Sequence, residues 1–240
     1  LYINGFELSQ LHIVRKGYHE NPSLVHPYLI DTIKLRSGGF PVTYGDKLSS
    51  VLDIQYLTET QKPISGVLDV RTTGITAAAH SKINSQWNMH LGYRKINYGF
   101  ILGSLQAQGD YQPDFQDMQL FTTYRPSPEL RFEVLGIAAN SHFRSEPETW
   151  INRDYRMGIY ELEYDEGSRE QFSFQSYLLG LKTVYEKEST TWTWTNSFFR
   201  QHEQEETDLH GTLFFQPHYY TDETPTTNYV DQTVDNDFLG

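Results

Sequence analysis

The chain has 240 residues, of which 38% are hydrophobic and 21% charged, a balance that suits a folded protein rather than a disordered one. Its formal charge of −12 argues against a nucleic-acid partner, because phosphate binding needs concentrated Lys and Arg. There is no cysteine, which excludes disulfides and thiolate metal sites, and no apolar run of about 18 residues marks a membrane helix.

The first segment, residues 1–47, reads as a loop-rich α+β piece. Leu1–Ile3 is a short strand that turns at Asn4-Gly5, a pair suited to positive φ. Pro22 and Pro27 mark a turn-rich stretch. Leu29–Arg36 starts as one helical turn and runs into a strand, and Gly38, Gly39 and Pro41 end it.

Residues 48–240 read as long alternating strands. Leu48–Leu57 is the first, with Leu52, Ile54 and Tyr56 on one face. Ile64–Thr72 follows, then Trp87, Met89, Leu91 and Tyr93 alternating with Asn88, His90, Gly92 and Arg94. Further strands are expected over Tyr98–Gln106, Phe115–Arg125, Glu129–Ser141, Asp154–Asp165, Gln171–Tyr185, Thr190–Gln201 and Gly211–Tyr219. That makes about nine or ten strands joined by polar turns, an all-β pattern. Many are about ten residues or longer, the length of a membrane β-strand rather than of an average soluble one. The tail from Thr221 is polar and reads as a loop.

No residue pattern points to a catalytic, cofactor or metal site. His80, His90, His142, His202 and His210 fall in strands or turns without ligand spacing. Asp114, Asp117, Glu129 and Glu133 could in principle supply paired carboxylates, but they read as wet lumen or loop polarity. Trp87, Tyr93, Tyr98, Trp192 and Trp194 suit an aromatic girdle or hairpin packing.

The run Gly38, Gly39, Phe40, Pro41, Tyr44, Gly45, Leu48, Ser49 and Asp53 resembles the plug–barrel junction of TonB-dependent outer-membrane receptors of the Bacteroidetes type. Asn4-Gly5 resembles a plug element of that family, and Leu91–Lys95 and Gly109–Asp117 resemble its early barrel strands. The resemblance implies the end of a plug over 1–47 and the first part of an antiparallel membrane barrel over 48–240. It implies an outer-membrane importer of a bulky or scarce nutrient, with no enzymatic step and no cofactor. Implied partners are a TonB-type coupling protein, outer-membrane lipid, and a surface lipoprotein or other outer-membrane subunits. A complete barrel of that kind has about 22 strands, so the chain is expected to be part of a longer protein. Three other classes stay open: a soluble secreted carbohydrate-binding module, a β-rich glycan-active enzyme with two converging carboxylates, and a non-transporting outer-membrane accessory.

Overall fold

A computed structural model describes residues 1–8, 23–39, 41, 44–45, 49–99, 110–146, 150–154, 159–164, 169–208, 211–216 and 230–233. The expected strand Tyr98–Gln106 lies almost wholly outside them, as do Phe40, Leu48, His210 and the tail from Thr221 to Tyr229.

Three sheets form. The first has four short strands, β1 (Tyr2–Ile3), β2 (Phe6–Glu7), β3 (Ile30–Arg36) and β4 (Val51–Tyr56), in the order β2-β1-β4-β3. Asn4 and Gly5 take φ of 50° and 83° between β1 and β2, the left-handed conformations that a tight hairpin demands. A 3-10 turn at Pro27–Leu29 leads into β3. The strand expected to begin the barrel wall is instead β4, held between β1 (parallel) and β3 (antiparallel). Alternation alone does not distinguish the two placements, since β4 alternates as the long strands do.

The second sheet has seven strands: β5 (Ile64–Arg71), β6 (Gly74–Lys82), β7 (Trp87–Asn97), β8 (Asp110–Ser127), β9 (Leu130–Glu146), β12 (Arg169–Lys187) and β13 (Thr190–Asp208). Their order is β13-β12-β9-β8-β7-β6-β5. A third sheet joins β10 (Trp150–Asp154), β11 (Ile159–Tyr164), β14 (Gly211–Gln216) and β15 (Val230–Thr233). By contacts the chain forms two compact units. One comprises 1–96, 115–141 and 174–203, and the other the remaining stretches.

The expected barrel is corrected here. A barrel closes only when its last strand pairs with its first. Among the described residues β5 and β13 are the two ends of the seven-stranded sheet and do not pair with one another, so the sheet is open. Strands of 17 to 19 residues occur in it all the same, so strand length was no guide to closure. The plug assignment falls with the barrel, and the four-stranded sheet is a layer on one face of an open sheet.

That layer covers the seven-stranded sheet through Phe6, His26 and Tyr56. The Tyr56 and Phe121 rings meet edge to face at 6.3 Å. Gly92 leaves room for the His26 ring, where a Cβ would sit 2.8 Å from the imidazole carbons. Gly180 does the same for Phe6, with a Cβ only 2.5 Å from Cδ1 of a fully buried ring. Gly180→Ala is therefore expected to cost about 1–3 kcal/mol by overpacking, read as a lower urea midpoint with an unchanged slope. A midpoint equal to the parent's would show that the two layers separate easily at Phe6.

The two faces of the large sheet differ in an unusual way. The covered face buries Asn88, His90, Arg94, Asp117, Gln119, Thr123, Glu133, Ser141 and Ser176 among its apolar side chains. The alternate positions expose Ile64, Leu68, Val70, Tyr93, Met118, Tyr124, Tyr177, Leu179 and Leu181. An exposed apolar surface of this extent makes this face a candidate binding surface.

Candidate functional site

On the exposed face, neighbouring strands bring outward positions together around a shallow groove. Its volume is about 330 Å³. β7 supplies Tyr93, β8 Gln116 and Met118, β9 Ala138 and Asn140, and β12 Gln175 and Tyr177. Alternation places all of them on one face, and the sheet order makes them neighbours. Ala138 is small, which helps leave the hollow that Tyr93 and Tyr177 line. Those two rings are 41% and 49% exposed, enough to receive a ligand. Gln116, Asn140 and Gln175 are also exposed. Each amide can donate and accept hydrogen bonds. Asp117 contributes to the lining, but its carboxylate is committed inward, where Oδ1 accepts from Arg94 Nε at 2.6 Å. The groove thus offers aromatic faces and neutral polar groups with no free charge.

The opposite face is held by a polar network. Arg94 Nη1 and Nη2 donate to the carbonyls of Val25 (3.1 Å) and Ser23 (3.0 Å). Gln119 Nε2 donates to Leu24 O at 2.6 Å, and Gln119 Oε1 accepts from the Tyr56 hydroxyl at 2.7 Å. Burial drives the Tyr56 phenol well above its ordinary value, so it stays a neutral donor. Lys182 Nζ donates to Glu133 Oε2 and to Asn4 O, both at 3.1 Å. Asn4 Oδ1 in turn accepts from Tyr56 N at 2.6 Å. These bonds seat segment 23–26 and the Asn4 turn on the large sheet.

Histidines also lie on this face. His80 and His90 face one another across β6 and β7 with Nδ1 atoms 3.0 Å apart. Burial, and then the His80 neighbour, push His90 down to about 4. Burial likewise lowers His80 and His26. His142 stands apart, with Nδ1 3.0 Å from Ser173 Oγ, and His202 is exposed. Among the described residues no three His, Asp or Glu gather as metal ligands.

The residues singled out for the junction scatter by role. Gly38 and Gly39 take positive φ (88° and 63°) in an exposed turn, and a Cβ at either, or at Gly45, would meet nothing within 4 Å among the described residues. Pro41 O accepts from Tyr44 N at 3.0 Å. The Tyr44 hydroxyl donates to Asp53 Oδ2 at 3.0 Å, and its ring meets Tyr2 edge-on at 5.1 Å. Ser49 is exposed. Tyr44 and Asp53 thus pin the chain to the small sheet. Of the candidate carboxylates, Asp117 pairs with Arg94, and Glu133 with Lys182 and Arg131. Glu129 accepts from Ser127 Oγ at 3.3 Å on the surface, and Asp114 has a buried Oδ1 without a hydrogen bond among the described residues.

No family model, curated protein or solved structure matches this chain. The resemblance to TonB-dependent receptors thus has no match behind it, and the open sheet is not the barrel it implied. The importer function and the outer-membrane location are corrected with it. In lipid, an open sheet leaves the backbone groups of its edge strands unpaired, at several kcal/mol each. Separately, no helix among the described residues is long and apolar enough to cross a membrane, which says nothing of crossing by strands.

The groove is not legible in the sequence. Tyr93 reads there as a strand position suited to an aromatic girdle or hairpin packing, and nothing marks Gln116, Asn140 or Gln175 as a site. Their only signal was uncharged polar residues at outward positions of separate strands, and sheet order alone makes them one site.

Proposed function

We propose that this chain is a non-catalytic carbohydrate-binding module whose site is the groove between Tyr93 and Tyr177. The observation that carries this reading is the pairing of two half-exposed tyrosine rings with three side-chain amides over Ala138. A sugar ring has an apolar face of C–H groups and a rim of hydroxyls. Tyrosine faces suit the first, and Gln116, Asn140 and Gln175 suit the second. The lack of free charge in the groove favours a neutral glycan. Trp192, Trp194 and Phe198, 59–70% exposed along β13, offer further stacking area on the same unit.

Affinity electrophoresis against a panel of soluble neutral polysaccharides tests this. The parent chain is expected to be retarded by at least one of them. Tyr177→Ala and Tyr93→Ala should each weaken retardation about tenfold, since an aromatic contact contributes roughly 0.5–1.5 kcal/mol beyond its area. Both side chains are exposed enough for circular dichroism to stay unchanged. Retardation by no glycan, or equal retardation of the variants, overturns the reading. Binding to neutral phospholipid vesicles in place of glycan would assign the apolar face to an amphiphile instead.

A further inference from the structure

A second cavity, of about 230 Å³, lies where segment 58–61 meets the ends of β6 to β9. We propose that it binds a small oxyanion, of the phosphate or carboxylate class. Lys82, Arg125 and Arg131 all line it, against the single carboxylate of Glu59. In a chain with a formal charge of −12, three cations around one hollow run against the overall composition. Gathering like charges is unfavourable unless an anion joins them.

The cations are incompletely matched by the protein itself. Glu59 and Arg125 are 3.7 Å apart with both side chains about half exposed, so their attraction is weak and screened. Arg131 Nε is 2.9 Å from Glu133 Oε1, yet it is buried without a well-directed hydrogen bond. Glu133 is shared with Lys182. Buried Asn88 and Thr123 add polar lining, where Asn88 Oδ1 holds the Thr60 N–H at 3.2 Å and the Thr123 hydroxyl holds Thr58 O at 2.7 Å. These two bonds fix segment 58–61 over the hollow, so the site is formed before a ligand arrives. Its volume equals that of about eight waters in the liquid, enough for phosphate or a small polycarboxylate.

Isothermal titration of the full chain with inorganic phosphate, and separately with citrate, at low ionic strength with chloride-matched controls, tests the proposal. Saturable binding of either anion is expected, and the one that binds names the class. Lys82→Gln/Arg125→Gln should weaken it about tenfold or more, and Arg125→Lys should restore most of that loss. Glu59→Gln should tighten binding severalfold, because it removes the competing carboxylate. A merely structural role for these groups would not produce that gain. No saturable binding of either anion, or unchanged affinity in the double variant, overturns the proposal. The glycan groove shares no residue with this cavity, so glycan retardation of the double variant should match the parent's.

Discussion

Asp117→Ala is expected to remove about 3–5 kcal/mol of stability, a large share of the roughly 5–15 kcal/mol that holds a domain folded. The Asp117 side chain is fully buried, and that of Arg94 is 6% exposed. Without the carboxylate, the guanidinium keeps its carbonyl partners on segment 23–25 but loses its counter-charge. Gln119 loses its Asp117 partner in the same step. Urea denaturation followed by circular dichroism measures the cost. A loss under about 1 kcal/mol would mean that water reaches Arg94 and that the pair is not sealed. The consequence for binding is direct. Asp117 lies between Gln116 and Met118 on β8, so loosening it disturbs the groove on the other face. Glycan retardation should therefore fall in this variant together with its stability.

Acid is expected to destabilise the same layer well above the pH at which carboxylates titrate. His90 is fully buried and held at about 4, against an ordinary value of 6.5. A base with a lowered folded-state pKa is stabilised in its neutral form. Between pH 6.5 and 4 the unfolded chain binds more protons than the folded one, so stability rises with pH across that window. It is complete above about 6.5 and is lost as pH falls toward 4. His90 alone accounts for roughly 3 kcal/mol at about 1.4 kcal/mol per pH unit. His80 and His26 act in the same direction, since both are lowered by burial. Among the described residues, His90 faces His80, the Phe121 ring at 6.5 Å and the Thr58 backbone, and no carboxylate contributes to its shift. Denaturation midpoints at pH 7 and pH 4.5 test this, and His90→Phe should flatten the difference. An equal pH dependence in that variant would place the loss on other groups.

The all-β class was readable because alternation is local. The Asn4-Gly5 turn was readable for the same reason, as a dipeptide that admits left-handed φ. Local patterns also misled. Val51–Tyr56 alternates as a long-sheet strand does, yet it pairs in parallel with Tyr2–Ile3. Gly74–Lys82 was missed, because Ala77, Ala78 and Ala79 carry little strand propensity and the strand forms by pairing on both sides. Long strands suggested a membrane wall, although length reports only how far two neighbours stay paired.

By itself, then, the sequence determined that the chain folds into strands with two unlike faces, and where many of them turn. Only the tertiary structure decided which face is covered, since a period of two assigns sides without naming inside and outside. It also decided that β5 and β13 stay apart, and that Gln116, Asn140 and Gln175 meet between two tyrosines. Both outcomes depend on pairings between residues far apart in the chain, whose energies no local pattern records.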